Sequence, residues 1–120
     1  MATLAVEGDS LHVRLSALEK IAAVHGDVIV PLDRVTGVDV VPSGFAAKRG
    51  FRSPGSAWPR TWALGTWRYR GGRDFNVIYR NRPAVVVTLR GGPFTRVVVS
   101  VDDAEGVAAG IARLVPSPAV

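Results

Sequence analysis

The second half of the chain limits the fold most tightly, because residues 62–101 hold four strand-length runs separated by turn-forming pairs. The pairs are Gly71-Gly72, Asn81-Arg82 and Gly91-Gly92. Primed hairpin turns need positive φ angles, which Gly adopts freely and Asn tolerates. Within the runs, Phe75, Val77 and Tyr79 share one face, as do Val85, Val87 and Leu89, and Val97, Val99 and Val101. Asn76, Arg90, Arg96 and Ser100 fall on the opposite faces, which is the period of two expected of half-buried strands. The pattern predicts a four-stranded antiparallel meander over residues 62–101.

The first half adds a second set of strands. Residues 3–7 and 10–15 flank Gly8-Asp9 and predict a hairpin, with Leu11, Val13 and Leu15 alternating against His12 and Arg14. Ser16 and Glu19 have the spacing of a capping box. They predict a short helix over residues 17–24, with Leu18, Ile21 and Ala22 as its apolar face and Gly26 at its stop. Residues 27–32 and 36–41 read as strands joined by a corner at residues 31–35. From residue 43 to residue 61 the periodicity fails, and the stretch reads as a long irregular loop, a length usually functional or disordered. At the C-terminal side, Asp102 and Glu105 predict a capped helix, Val107, Ile111 and Leu114 its docking stripe, and Pro116 its end. Residues 1–115 are expected to form one domain and residues 116–120 a flexible tail.

Composition narrows the chemistry. The chain has 120 residues and no cysteine, so disulfides, thiolate metal sites and thiol catalysis are excluded. No stretch approaches the ~20 apolar residues that a spanning helix needs. The first residues carry no basic head, so no signal peptide is expected and the cytoplasm is the default compartment, with the periphery of a membrane as the alternative. The net charge of +5 is unevenly spread. Eleven basic residues and a single acid, Asp74, lie between Gly44 and Val101, while the flanking segments are acidic. Such a distribution bears on partners rather than on fold.

Seven or eight antiparallel strands followed by one amphipathic helix predict a mainly β domain, a bent sandwich or partly open barrel capped by its C-terminal helix. That ordering resembles the pleckstrin-homology-like superfold. The segments Gly65-Thr66-Trp67, Gly71-Gly72-Arg73-Asp74-Phe75, Arg82-Pro83-Ala84-Val85-Val86-Val87 and Val98-Val99-Ser100-Val101-Asp102-Asp103 resemble those of small actinobacterial proteins with a bacterial pleckstrin-homology-like domain. The resemblance implies a scaffold that binds phosphoinositides, peptides or other proteins, and it carries over no catalytic residue. The helix at residues 17–24 and the extra N-terminal strand depart from that family's pattern.

The residues capable of chemistry are few. His12 and His25 are the only histidines, and no second ligand set accompanies them, so a surface or capping role is expected and no metal site. Nucleophile-elbow, phosphate-loop and dinucleotide signatures are missing from the sequence. The expectation is therefore a non-enzymatic module without a cofactor. Asp74 is expected in an exposed cross-strand ion pair of about 0–1 kcal/mol. The sharpest candidate surface is the 43–61 loop, which interleaves Lys48, Arg49, Arg52 and Arg60 with Phe45, Phe51 and Trp58. Arg70 and Arg73, at a neighbouring turn, extend it. Cations with apolar wedges suit a protein partner or self-association, an anionic lipid surface or, with less support, single-stranded nucleic acid. The plain alternative is that the aromatic residues fold back on the sheet.

Overall fold

The computed structural model describes residues 2–58, 61–80 and 82–115, apart from the side chains of residues 51–54. Arg60, Asn81, Pro116 and the 116–120 tail lie outside the described residues. The described chain is mainly β, with nine strands in two sheets and two α-helices. The order is β1 (Thr3–Glu7), β2 (Ser10–Arg14), α1 (Ala17–Ala23), β3 (Val28–Pro31), β4 (Val35–Val41), β5 (Phe51–Trp58), β6 (Trp62–Tyr69), β7 (Gly72–Tyr79), β8 (Ala84–Leu89), β9 (Arg96–Ser100) and α2 (Ala104–Leu114). Short 3-10 turns occupy Leu32–Arg34 and Gly44–Ala46. Strands β1-β2-β3 form one sheet and β4-β8-β9-β7-β6-β5 the other, and neither closes into a barrel.

The N-terminal hairpin, the 31–35 corner and the C-terminal helix occur where the pattern predicts them. The expected meander does not. Its first hairpin, β6–β7, is antiparallel and turns at Arg70-Gly71, one residue earlier than expected. Its last, β8–β9, is also antiparallel. Between these pairs β9 inserts itself, parallel to β7, so β7 and β8 never touch as ladder partners. A parallel pair needs a long connection between its strands, and here β8 itself supplies the return leg. Val97, Val98 and Val99 are each wholly buried, the continuous apolar run expected of a strand covered on both faces.

Those two faces bury different sets. Phe75, Val77, Val85, Val87, Val97 and Val99 pack toward the small sheet and toward Ala104, Ala108 and Ile111 of α2. Ala63, Trp67, Ile78, Ala84, Val86 and Val98 point the other way, where Phe45 and Ala47 cover them. The segment after β4 is therefore a lid of the second face. Residues 51–58, expected as loop, pair with β6 as an edge strand of eight residues. Its ladder slips between Arg52 and Gly55, around Pro54, which lacks the N–H a ladder needs and is tolerated at an edge. That slip is why no period of two was visible.

Both helices also correct the sequence reading. The capping box at Ser16 and Glu19 forms, but Leu18 and Ile21 are 79% and 75% exposed, and the buried side is Glu19 and Ala23. Glu19 turns inward because it has more than its cap to satisfy. Its Oε1 accepts the Ser16 N–H at 2.9 Å, and its Oε2 accepts the Ala2 N–H at 2.9 Å and the Tyr79 hydroxyl at 2.5 Å. Desolvation pushes the Glu19 carboxyl upward, yet the Ser16, Tyr79 and Ala2 hydrogen bonds outweigh it and hold the group below its usual range. Burial, and then the bond to Glu19, push the Tyr79 phenol well above its usual range. The cap of α2 is Asp103, whose Oδ1 accepts the Gly106 N–H at 3.2 Å. Asp102 instead pairs with Arg82. With Gly at the third helical position there is no side chain to complete a capping box, and Leu114 is exposed while Ala104, Ala108 and Ile111 dock. No helix among the described residues is long and apolar enough to cross a membrane.

Candidate functional site

Within the basic segment predicted as an interaction loop, Arg49 is engaged by the fold. Arg49 donates from Nε to Asp74 Oδ2 at 2.7 Å and from Nη2 to Oδ1 at 3.1 Å, a bidentate pair. The same Nη2 donates to the Tyr69 hydroxyl at 2.6 Å, and the guanidinium lies 3.7 Å from the Tyr69 ring centroid. Hydrogen bonding to Asp74 raises the already high pKa of Arg49 further. Arg96 reaches Asp74 Oδ2 from the other side, 2.9 Å from Nη2, and its Nη2 also donates to the Ala47 carbonyl at 2.5 Å. Asp74 is wholly buried, so the exposed ion pair expected for it is a buried three-residue cluster instead. Register carries it: Asp74 faces Arg96 across the parallel β7–β9 pair, and the lid over the second face brings Arg49.

Other predicted residues scatter around this cluster. Phe45 is half-buried against the second face. The Lys48 ammonium stands 6.0 Å from the Phe45 ring centroid and 5.7 Å from that of Trp67. The backbones of Phe51 and Arg52 pair with Arg68 and Trp67 in the β5–β6 ladder, and their side chains lie outside the described residues. Trp58 is 64% exposed at the end of the edge strand, and Arg70 is exposed at the β6–β7 turn. Arg73, also of the predicted set, lines a cavity.

That cavity is a cleft of about 400 Å³ between β3 with its following turn and the β6–β7 hairpin, closed at one end by the β8–β9 connection. Its inner wall is apolar, made by Val28, Val30, Leu89 and Phe94, all buried. Its rim carries Arg34, Arg68 and Arg73. Arg34 comes from the 3-10 turn Leu32–Arg34 and Arg73 from the start of β7, where it stands directly opposite Arg68 in the ladder. Like charges facing one another across a strand pair destabilise. The guanidinium groups of Arg34 and Arg73 have no hydrogen-bond or ion-pair partner among the described residues. Gly92 adopts φ 83° in the turn that closes the cleft, and a Cβ there would lie 2.7 Å from Arg34 Nη1. Only glycine lets that guanidinium lie across the turn.

Two further ionisable groups line the cleft, and both are tied down. Asp27 Oδ1 accepts the Leu15 N–H at 2.8 Å and lies 3.8 Å from Lys20 Nζ. His25, expected in a surface or capping role, is half-buried with its ring 5.0 Å from that of Phe75 and 5.7 Å from that of Phe94. Its Nδ1 lies 2.8 Å from the Gly26 carbonyl, so that nitrogen carries the proton and Nε2 is the acceptor of the neutral ring. The α1 C-cap just before it, Val24, sits in the left-handed region at φ 53°, a strained setting for a β-branched residue.

The sequence missed Arg34, His25 and the 91–94 turn as parts of one site because they come from three separated segments. Gly91-Gly92 reads in the sequence as a two-residue hairpin turn, but the connection from Leu89 to Arg96 is longer and its glycines, both at positive φ, lie in the wall of the cleft. His12, by contrast, lies 3.2 Å from Glu7, across the β1–β2 hairpin. Among the described residues no group of three His, Asp or Glu side chains is placed to hold a metal ion. The chain matches no protein-family model, no curated protein and no solved structure.

Proposed function

We propose that this protein is a non-catalytic binding module whose ligand is an anion held in the cleft by Arg34 and Arg73. The observation that carries the reading is the presence of two guanidinium groups with no hydrogen-bond or ion-pair partner among the described residues, at the rim of a cavity of about 400 Å³. Pockets of this size with an apolar wall and a few convergent polar groups are the usual form of a small-molecule site. Arginine suits the task because its planar fork matches carboxylate and phosphate oxygens two at a time. The binding reading, as against an enzyme, draws on the sequence, which carries no nucleophile-elbow, phosphate-loop or dinucleotide signature. The pleckstrin-homology-like likeness remains a proposal about the scaffold. It is supported by the β-rich chain that closes with an amphipathic helix, while the parallel β7–β9 pair departs from the antiparallel order on which the likeness was drawn.

The test is thermal unfolding of the intact protein with and without inorganic pyrophosphate, at low and near-physiological salt. A ligand that binds only the native state raises the midpoint. The rise is expected in the wild type and in Arg70→Glu, to shrink with salt, and to vanish in the Arg34→Glu, Arg73→Glu double variant. An equal rise in the double variant refutes the assignment.

One observation favours self-association as a second reading. Leu18, Ile21 and Val24 are exposed on and beside α1, whose Ala22 carbonyl accepts the Ser56 hydroxyl of β5. Trp58 follows on the same side of β5 and is also exposed. A second copy covering this face should dissociate in Leu18→Glu, which sedimentation velocity reads directly; an unchanged sedimentation coefficient removes the reading.

A further inference from the structure

We infer that the ligand of the cleft is an aromatic anion, a planar ring bearing a phosphate or carboxylate, with the ring inward and the charge at the arginine rim. This inference rests on the cleft being an anion site and adds the chemical class of what enters it. The cleft is divided by polarity. Arg34, Arg68 and Arg73 lie at the rim, whereas Val28, Val30, Leu89 and Phe94 form a buried apolar wall. A bare inorganic anion would satisfy the rim and leave that wall wet. A body attached to the anion displaces that water, and burying apolar surface is favourable in proportion to the area covered.

The character of the wall selects the body. His25, Phe75 and Phe94 form a closed trio, with centroids 5.0, 5.4 and 5.7 Å apart and tilted ring planes. Phe75 is wholly buried behind the other two, so His25 and Phe94 present ring surface to the cleft while a third ring holds them in place. Rings so fixed favour an aromatic guest, since offset or edge-to-face ring pairs attract one another beyond the area they bury. His25 adds a directional element. With its Nδ1 proton committed to the Gly26 carbonyl, Nε2 is left to accept from a ring hydroxyl or N–H. The remaining carboxylate of the lining, Asp27, is already shared between Leu15 N–H and Lys20, so it opposes an anion less than an unpaired acid would.

The experiment is isothermal titration calorimetry of the full chain with inorganic phosphate, 1-naphthyl phosphate, octyl phosphate and neutral 1-naphthol. The expected order places 1-naphthyl phosphate at least tenfold tighter than inorganic phosphate, and tighter than octyl phosphate or 1-naphthol. Its binding is lost in Arg34→Gln, Arg73→Gln and retained in Arg70→Gln. Phe94→Leu, or His25→Leu where the Phe94 change softens the fold, erases the naphthyl preference and leaves phosphate binding in place. Equal affinity for inorganic and naphthyl phosphate, both dependent on the two arginines, overturns the aromatic class while the anion site stands. Octyl phosphate matching naphthyl phosphate overturns the ring requirement. 1-Naphthol matching naphthyl phosphate overturns the need for charge. Binding indifferent to Arg34 and Arg73 overturns the anion site itself.

Discussion

At the residue scale, the fate of Asp74 shows what a sequence can and cannot say about a charge. Its isolation among basic residues marked it as an ion-pair partner, and Arg96 faces it in the ladder. Its burial was not legible, because the covering comes from residues 44–50, a segment with no periodicity to place it. Burial changes the energetics. An exposed pair contributes about 0–1 kcal/mol, whereas removing one partner from a buried pair costs about 3–5 kcal/mol by leaving a charge uncompensated. Arg96 is the less exposed arginine of the two and alone holds the Ala47 carbonyl. Arg96→Met is therefore expected to destabilise by about 3 kcal/mol, and Arg49→Met by less, in urea denaturation; equal and negligible losses would contradict the cluster. Glu19 supports a prediction about pH. Its carboxyl is lowered in the folded state from a reference of 4.5, so its contribution is complete above that value. That contribution is lost as pH falls through the folded value. The wild type is expected to lose stability more steeply than Glu19→Gln over about pH 5 to 3, read from melting midpoints in that range.

At the element scale, the legible parts were those with local signals. The capping box placed α1, the alternation placed β2, and the paired glycines placed the β6–β7 hairpin to within a residue. What failed depended on partners distant in sequence. The runs Val85–Val87 and Val97–Val99 are continuous, not alternating, and continuity meant cover on both faces; reading every second residue concealed it. The face of α1 was misjudged for a related reason. Hydrophobicity pointed Leu18 and Ile21 inward, but three hydrogen bonds drew Glu19 there instead. The 44–50 lid is the element on which the second face depends. Gly50 holds φ 81° where a side chain would run into the Arg68 carbonyl and Tyr69. Gly50→Ala combines a disfavoured φ with a backbone clash and is expected to cost about 1–3 kcal/mol. The accompanying rise in Trp67 solvent exposure should appear as a red-shifted emission, provided Trp58 and Trp62 are replaced by Phe in the background used for comparison. An unshifted emission with undiminished stability would mean that the lid does not seal that face.

At the scale of the whole molecule, the larger sheet carries cover on both faces and the small sheet leaves a cleft at its border with it. The sequence could forecast a mainly β chain with a helix after its last strand. It could not forecast which of the basic residues are spent on the fold. Arg49 and Arg96 neutralise Asp74, whereas Arg34 and Arg73 converge on the cleft from elements that are 39 positions apart in number, a convergence that only the β3–β7 geometry creates. The central claim is that an anion binds there and not along the 43–58 segment. Amide chemical-shift mapping of the isotope-labelled chain during titration with inorganic pyrophosphate tests it most directly. Saturable shifts are expected at Thr66, Arg73 and the Gly91, Gly92 and Phe94 amides, with Lys48, Arg49 and Trp58 unmoved. Shifts confined to Lys48, Arg49 and Trp58, or no saturable shift anywhere, would contradict it.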